Sequence, residues 1–415
     1  MSKVRDLETV VRYGLCTSCG LCESMAGRDR VEMAVSVTGH LRPRVKTKLE
    51  PALLGRILAV CPGAGVTGPD APKGHPMHHK WGPLLSLQRS WAASDAVRQK
   101  AAAGGTLTAL GAYLLDSGKV EAIVHVRAST SDPITTDSLV SDTAQDVVSG
   151  AQSRYATTSP LRHVMRLLDE GTRFAVIGKP CDVAAIRALG RVDPRVSRQI
   201  PYLLTIFCGG EANLQTAEKI AAYHGVPRKD IALFRWRGEG WPGPTRVAAR
   251  DGRAFNMSYE ETWYEKGKPW TYDLQFRCKI CPDAIGEQAD VAVPDGWMIE
   301  NGKRIFREAP GVNVAVARTD VGVQLLRDAS AAGALKLAPC SFEDFVIMHN
   351  DHTRRKVSHP ARSLALFLLG QPNLRIRRYR TWQAVRLAGL AGNWTAFWGM
   401  VRRVLERANR EPLPR

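Results

Sequence analysis

Three cysteines at two equal spacings stand near the start of the chain, in Cys16-Thr-Ser-Cys19-Gly-Leu-Cys22. Such short spacers let one loop curl around a metal–sulfur cube, present three thiolates and aim backbone N–H groups at its sulfides. In the bacterial ferredoxin run a fourth cysteine, followed by proline, comes three residues later. Here that position is Ala26 with no proline after it, and a Cys-Pro occurs downstream at Cys61-Pro62. The economical reading is one [4Fe–4S] cluster held by Cys16, Cys19, Cys22 and Cys61. A C-x2-C pair alone would suit zinc equally, but the triple spacing with Gly20 inside it suits zinc poorly.

Five cysteines remain: Cys181, Cys208, Cys278, Cys281 and Cys340. The first two need elements to place them. Apolar runs predict a helix over 105–115 and strands over 120–126, 173–177 and 202–207, with a helix over 183–189. This alternation argues for an α/β sheet. Cys181 and Cys208 follow the second and third of these strands, and in open α/β sheets ligands bind beyond the carboxyl ends of strands. With the C-x2-C pair Cys278/Cys281 they make four thiolates, enough for a second cluster. The alternative reading is that Cys181 and Cys208 are buried core thiols. Cys340 has no partner in this scheme and reads as a plain thiol.

The whole chain, 415 residues and 45.6 kDa, is long enough for two or three domains. Its 44% hydrophobic and 24% charged content excludes wholesale disorder and collagen-like repeats. No apolar run approaches the ~18 residues that span a bilayer. The charged start lacks a signal-peptide core. The expectation is a soluble, cytoplasmic protein. The net charge of +18 is concentrated at one end, since fourteen basic and three acidic residues lie between Asp351 and Arg415. That concentration, away from the cysteines and without a groove-reading motif, argues against nucleic acid. The apolar positions Trp382, Val385, Leu387, Leu390, Trp394, Phe397, Trp398, Val401, Val404 and Leu405 predict a final helix packed on the body with a solvated basic edge. The competing reading is a docking surface for an acidic partner such as ferredoxin, or peripheral contact with an anionic membrane.

Taken in order, several segments resemble the beta-subunit family of coenzyme F420-reducing hydrogenase and formate dehydrogenase. Relatives in that family include 7-hydroxymethyl chlorophyll a reductase and a ferredoxin-dependent divinyl chlorophyllide 8-vinyl reductase. The matching pieces begin with the Cys16–Cys22 loop, Gly104-Gly105-Thr106-Leu107-Thr108 and Ser153-Arg154-Tyr155. They continue through Ile177-Gly-Lys179-Pro-Cys181-Asp182, Phe207-Cys208-Gly209 and Trp241-Pro242-Gly243. Arg277-Cys278-Lys-Ile-Cys281-Pro-Asp283, Ala289-Asp290-Val291 and Asp295-Gly-Trp297 complete the series. The resemblance runs from about residue 14 to about 329 and fades through the basic tail.

It implies FAD, iron–sulfur clusters, and electron transfer between a one-electron donor and a two-electron acceptor. It also implies that Cys181, Cys208, Cys278 and Cys281 hold a second [4Fe–4S] cluster. The cofactor-binding set it implies is Gly104, Gly105, Thr106, Thr108, Ser153, Arg154, Tyr155 and Lys179, with the two glycines admitting the flavin pyrophosphate to a helix N-terminus. Ala103 stands where the family commonly has serine, and Pro294 where it often has glycine.

The expected fold is therefore α/β (α+β). A ferredoxin-like iron–sulfur module (1–80) precedes a mixed α/β domain for flavin and second cluster (81–350), followed by a basic helical tail (351–415). Proton-donor candidates are Tyr155, Lys179, Asp182, Asp295 and His125, unranked. The first functional reading is an oxidoreductase taking electrons from ferredoxin or another donor protein to a small-molecule acceptor. The alternative is the beta subunit of a hydrogenase or formate dehydrogenase complex that reduces coenzyme F420.

Overall fold

The computed structural model describes residues 4–270 and 274–414. Its centre is a sheet of eight strands: β1 (Ser86–Ala92), β2 (Ala122–Ala128), β3 (Thr136–Ser141), β4 (Phe174–Gly178), β5 (Tyr202–Ile206), β6 (Val291–Val293), β7 (Asn313–Ala317) and β8 (Leu335–Pro339). Their spatial order is β8-β1-β7-β6-β5-β4-β2-β3. The adjoining strands β6, β5, β4 and β2 run parallel, and antiparallel strands extend both edges. A mixed sheet of this kind agrees with the α/β expectation. The three strands expected from sequence lie within two residues of their anticipated limits.

The parallel strands are mostly apolar because both faces are covered. Phe174, Val176 and Leu203 face one layer, with Val183 and Ile186 of the helix Pro180–Leu189. Ala175, Leu204 and Val291 face the other, with Leu110 and Leu114 of the helix Thr106–Asp116 and Leu325 of the helix Asp320–Ala331. A smaller antiparallel sheet, Ile231–Arg235, Thr245–Ala249 and Ala254–Met257, packs its own core around Trp236 and Val247.

The amino-terminal segment comprises the helices Leu7–Arg12 and Leu21–Ala26, a hairpin of Val31–Val35 with Leu41–Val45, and the helix Pro51–Val60. The carboxyl-terminal segment returns to it. Its strand Arg375–Arg377 pairs in parallel with Gly65–Thr67, and buried Arg42 meets Glu411 at 2.9 Å. The helix Phe342–Val357 runs continuously through residue 350.

The final helix differs from expectation. Gly389, at φ 64°, separates the short turns Thr381–Ala384 and Val385–Ala388 from the helix Gly389–Leu405. Only Met400 of that helix is fully buried, with Phe397, Val401 and Val404 half-buried beside it. Leu390, Trp394, Trp398 and Leu405 are exposed. An apolar stripe broader than the body can cover leaves one half of itself in solvent.

Candidate functional site

The first four cysteines are gathered by three short elements. Ser18 and Gly20 take left-handed backbone angles (φ 63° and 81°), which curls Cys16–Cys22 back on itself. A β-carbon on Gly20 would lie 2.9 Å from Ser159 Cβ, so the loop sits tightly against the 159–163 turn. Ser159 Oγ donates to the Ser18 carbonyl at 2.8 Å, and Leu161 N–H to that of Cys19 at 2.9 Å. Cys61 arrives as the carboxyl cap of the helix Pro51–Val60. Together Cys16, Cys19, Cys22 and Cys61 ring a small cavity of about 20 Å³, closed by Leu7, Val10, Leu21, Ile57 and Val60.

The chemistry of this donor set fits an iron–sulfur cluster. Burial pushes the Cys16 thiol up to about 11 and raises Cys19, Cys22 and Cys61 as well. Such thiols become thiolates when a cationic centre sits among them. Backbone N–H groups already point at the sulfurs: Ser18 at Cys16 (3.4 Å), and Gly63 and Ala64 at Cys61. Among the described residues, no three His, Cys, Asp or Glu side chains close around a single-ion position. The thiols instead stand apart around a cavity.

The second four converge from the sheet and one loop. Cys181 is the second residue of the helix that follows β4, and Cys208 lies two residues beyond β5. Cys278 sits in the short helix Phe276–Lys279, and Cys281 follows it. Their charges reach one another: Cys208 and Cys281 act on Cys181, and Cys278 and Cys281 act on Cys208. Burial raises Cys181 and Cys278 and pushes Cys208 up to about 12, against the opposing pull of Lys179 on Cys181 and Arg355 on Cys208. Glu211 N–H donates to Cys278 Sγ at 3.4 Å. Cys340 lies just past the end of β8 and packs against the apolar cluster that contains Phe345, apart from both sets.

A cleft of about 800 Å³ opens at the carboxyl ends of β4, β5 and β6, where Gly178, Ile206 and Val293 line it. Thr108, Ser153, Arg154, Tyr155, Lys179 and Cys208 are in its wall. Gly104, Gly105 and Thr106 are not among its lining residues. A β-carbon on Gly104 would lie 2.7 Å from the Ser90 carbonyl and 2.8 Å from Asn313 N. Thr106 is buried, with its N–H donated to Asn313 Oδ1 at 3.2 Å and its hydroxyl 2.9 Å from Ser90 Oγ. The turn is thus stitched to β1 and β7, and the helix behind it delivers Leu107 and Thr108 to the cleft.

The proton-donor candidates separate by environment. Asp182 is buried and caps its helix by accepting Lys179 N–H at 2.9 Å. His125 is buried, 2.7 Å from Ser141 Oγ, and burial holds its pKa down to about 4. Tyr155 and Asp295 share a partner that the sequence reading missed. Arg237, only 3% exposed, pairs with Asp295 Oδ2 at 2.9 Å and donates to Tyr155 OH at 3.4 Å. It also donates to the Ala102 and Pro242 carbonyls, at 2.7 and 2.9 Å. Its position beside Trp241-Pro242 was the available signal. Aromatic rings of Tyr259, Trp263 and Trp297 complete this wall.

The cleft is cationic. Arg154, Lys179, Arg237, Lys266, Arg304, Arg354, Arg355 and Arg362 line it against Asp182, Glu211, Glu265, Asp295 and Asp351. Three of the arginines come from the basic tail. Arg355 donates to the carbonyls of Gly209 and Cys278, which ties that tail to the second cysteine set.

Two family profiles match this framework: the N-terminal part of coenzyme F420 hydrogenase/dehydrogenase beta subunit over residues 88–166, and its C terminus over residues 171–342. The chain belongs to this beta-subunit family. The matched regions of this beta-subunit homologue hold Thr108, Tyr155, Lys179 and the second cysteine set, while the first set and the basic tail lie outside them. It is 27% identical over 248 residues to F420-dependent formate dehydrogenase 1 subunit beta of Methanococcus maripaludis, covering 59% of each chain. It is 25% identical over 317 residues to the coenzyme F420-dependent sulfite reductase of Methanocaldococcus jannaschii, covering 70% of this chain and 44% of that one. With coenzyme F420 hydrogenase subunit beta of Methanothermobacter thermautotrophicus the identity is 27%, over 59% of this chain and 80% of that one. The chain therefore spans less than two thirds of the first two relatives. A chain of the F420-reducing [NiFe] hydrogenase complex from Methanosarcina barkeri shares the fold, with a TM-score of 0.54 and 17% identity over 72% of this chain and 98% of that one.

Proposed function

We propose that the chain is an electron-transferring oxidoreductase subunit that passes electrons through two [4Fe–4S] clusters to FAD and a two-electron acceptor of the F420 kind. The observation that carries this reading is the cationic cleft at the strand ends with Cys208 of the second cysteine set in its wall. All three relatives named above are F420-linked by name and two of them are beta subunits, which favours this reading over a reductase fed by ferredoxin. Clusters and flavin, when bound, supply single-electron transfer and its conversion to hydride transfer.

The protein's own residues do the rest. Cys16, Cys19, Cys22 and Cys61 would hold one cluster, and Cys181, Cys208, Cys278 and Cys281 the other. The surplus of arginine and lysine in the cleft attracts phosphate and carboxylate groups of cofactor or acceptor. Thr108, Ser153, Arg154 and Lys179, in the cleft wall, would bind such groups. The aromatic wall of Tyr259, Trp263 and Trp297 excludes water. Arg237 pairs with Asp295 and donates to the Tyr155 oxygen, so the Tyr155 hydroxyl hydrogen is not used by that bond and can be donated into the cleft.

Anaerobic purification followed by iron and flavin analysis and an F420 reduction assay tests this. The expected result is about eight irons and one FAD per chain, with F420 reduced by an artificial donor. A colourless protein holding neither iron nor flavin would overturn the reading.

A further inference from the structure

The helix Gly389–Leu405 lies on the body through Met400, Phe397, Val401 and Val404, which meet Ala365 and Leu366 of the helix His359–Leu368. At about 100° per residue, Leu390, Trp394, Trp398 and Leu405 share a second face that this contact leaves uncovered. Their exposures are 93%, 66%, 50% and 72%. Trp382 and Leu387, just before the helix, are 73% and 61% exposed. The neighbouring helix adds Leu364, Phe367 and Leu368 at 49%, 63% for the last and 53% for the phenylalanine. A folded chain seldom leaves so many large apolar side chains in water without a surface to cover them.

We propose that this face is a docking surface for an anionic lipid membrane. It goes beyond the electron-transfer reading and does not depend on it. The chemistry of the segment selects the occupant. Between residues 381 and 407, where the uncovered apolar side chains lie, the charged residues are Arg386, Arg402, Arg403 and Arg407 against Glu406 alone. Arg354, Arg355 and Arg362 of the tail lie in the cleft, and Lys356, Arg378 and Arg380 pair with carboxylates of the body. Arg386 and Arg402 are exposed along the same helical stretch, and Glu406 faces Arg402 at 3.7 Å. A second copy would bring the same positive tail against its like, which costs energy at close range. A lipid surface offers both halves of what is needed: acyl chains for leucine, a headgroup boundary for indole rings, and phosphates for arginine. Among the described residues no helix is long and apolar enough to cross a membrane, so the contact is interfacial.

The test is flotation of the full chain with vesicles of phosphatidylcholine containing phosphatidylglycerol, against vesicles of phosphatidylcholine alone, with tryptophan emission recorded. Binding and a blue shift are expected with the anionic vesicles only, weakening as salt rises. Replacing Leu390→Ser and Trp394→Ser together should reduce binding by about tenfold or more. Because both side chains are solvent-exposed, circular dichroism should be unchanged. Arg386→Glu with Arg402→Glu, which leaves the apolar face intact, should also reduce binding, and only at low salt. Failure to float with anionic vesicles, or equal flotation with both kinds, would overturn the proposal. So would wild-type binding by both variants, or a dimer in solution that the Leu390/Trp394 pair of replacements dissolves.

Discussion

Ser18 Oγ donates to Glu211 Oε1 at 2.7 Å, joining the first cysteine loop to the segment after β5 across 193 positions of sequence. Both residues are at most 2% exposed. Ser18 N–H also reaches Cys16 Sγ, and Glu211 N–H reaches Cys278 Sγ, each at 3.4 Å. One short chain of bonds therefore runs from a thiol of the first set to a thiol of the second. Burial works to protonate Glu211, but Lys179 at 3.3 Å, His40 and Ser18 outweigh it and hold the carboxyl down at about 2.

Ser18→Ala should cost about 1–3 kcal/mol, because it leaves a buried carboxylate oxygen and an Arg42 N–H without their partner. Denaturant unfolding of the anaerobic protein measures it. A change within error would mean that Glu211 is satisfied by His40 and Lys179 alone.

The two cysteine sets predict separable losses. Cys61→Ser should remove about four irons and leave about four, and Cys278→Ser should do the reverse. Iron analysis with electron paramagnetic resonance of the reduced protein distinguishes the two signals. Loss of all iron in both variants would indicate that neither site assembles independently.

At the Gly104–Thr106 turn, the fold and the proposed cofactor binding come apart. Gly104→Ala should destabilise the fold whether or not flavin is bound, because its β-carbon would meet the Ser90 carbonyl at 2.7 Å. Thr108→Val, in the cleft wall, should leave the melting temperature within a few degrees while lowering flavin retention. Stoichiometric flavin in Thr108→Val would move the binding site away from this helix.

What was legible from sequence was what local pattern encodes. The runs around Ala175 and Leu204 are apolar because both sheet faces are covered, so β4 and β5 could be read, and with them the places of Cys181 and Cys208. The outer strands β1, β7 and β8 went unread, since partners more than 200 positions away, such as Ser90 and Asn313, decide that these segments pair. Arg237 and Glu211 were missed for the same reason: their significance lies in Asp295, Tyr155, Ser18 and Lys179, none of them adjacent in sequence. The tail shows another limit. A helical period identifies an apolar stripe but cannot say how much of it the body will cover, and here Met400 is buried while Leu390 is not.

His125 makes stability pH-dependent. Burial lowers its folded pKa to about 4, against about 6.5 in the unfolded chain. Between those values the unfolded chain binds more protons, so stability present above pH ~6.5 declines as pH falls towards 4. The full effect is about 3 kcal/mol. His125→Asn should flatten that part of the stability–pH curve. An unchanged slope would assign the acid sensitivity to other groups.

The last prediction concerns Arg42, which is 0% exposed although it carries a charge. Its guanidinium donates to Glu411 Oε2 at 2.9 Å and to Ser18 Oγ at 2.9 Å, so the end of the chain supplies the counter-charge to a residue of the first cysteine module. Glu411 also accepts from Thr38 at 2.6 Å and Ser36 at 3.1 Å. Removing one partner of a buried ion pair leaves an uncompensated charge, at a cost of about 3–5 kcal/mol. Truncation after Arg410 should therefore lower stability by that order and loosen the Cys16–Cys22 loop through Ser18. Iron of the first cluster should be lost to a chelator faster than in the intact chain, while the second cluster is retained. Glu411→Gln, whose amide oxygen can still accept from Arg42 but which loses the charge and one accepting oxygen, should fall between the two. If the truncated chain keeps both the stability and the chelator resistance of the intact one, water or the Leu41 carbonyl, 3.1 Å from Arg42 Nη1, is satisfying the guanidinium instead.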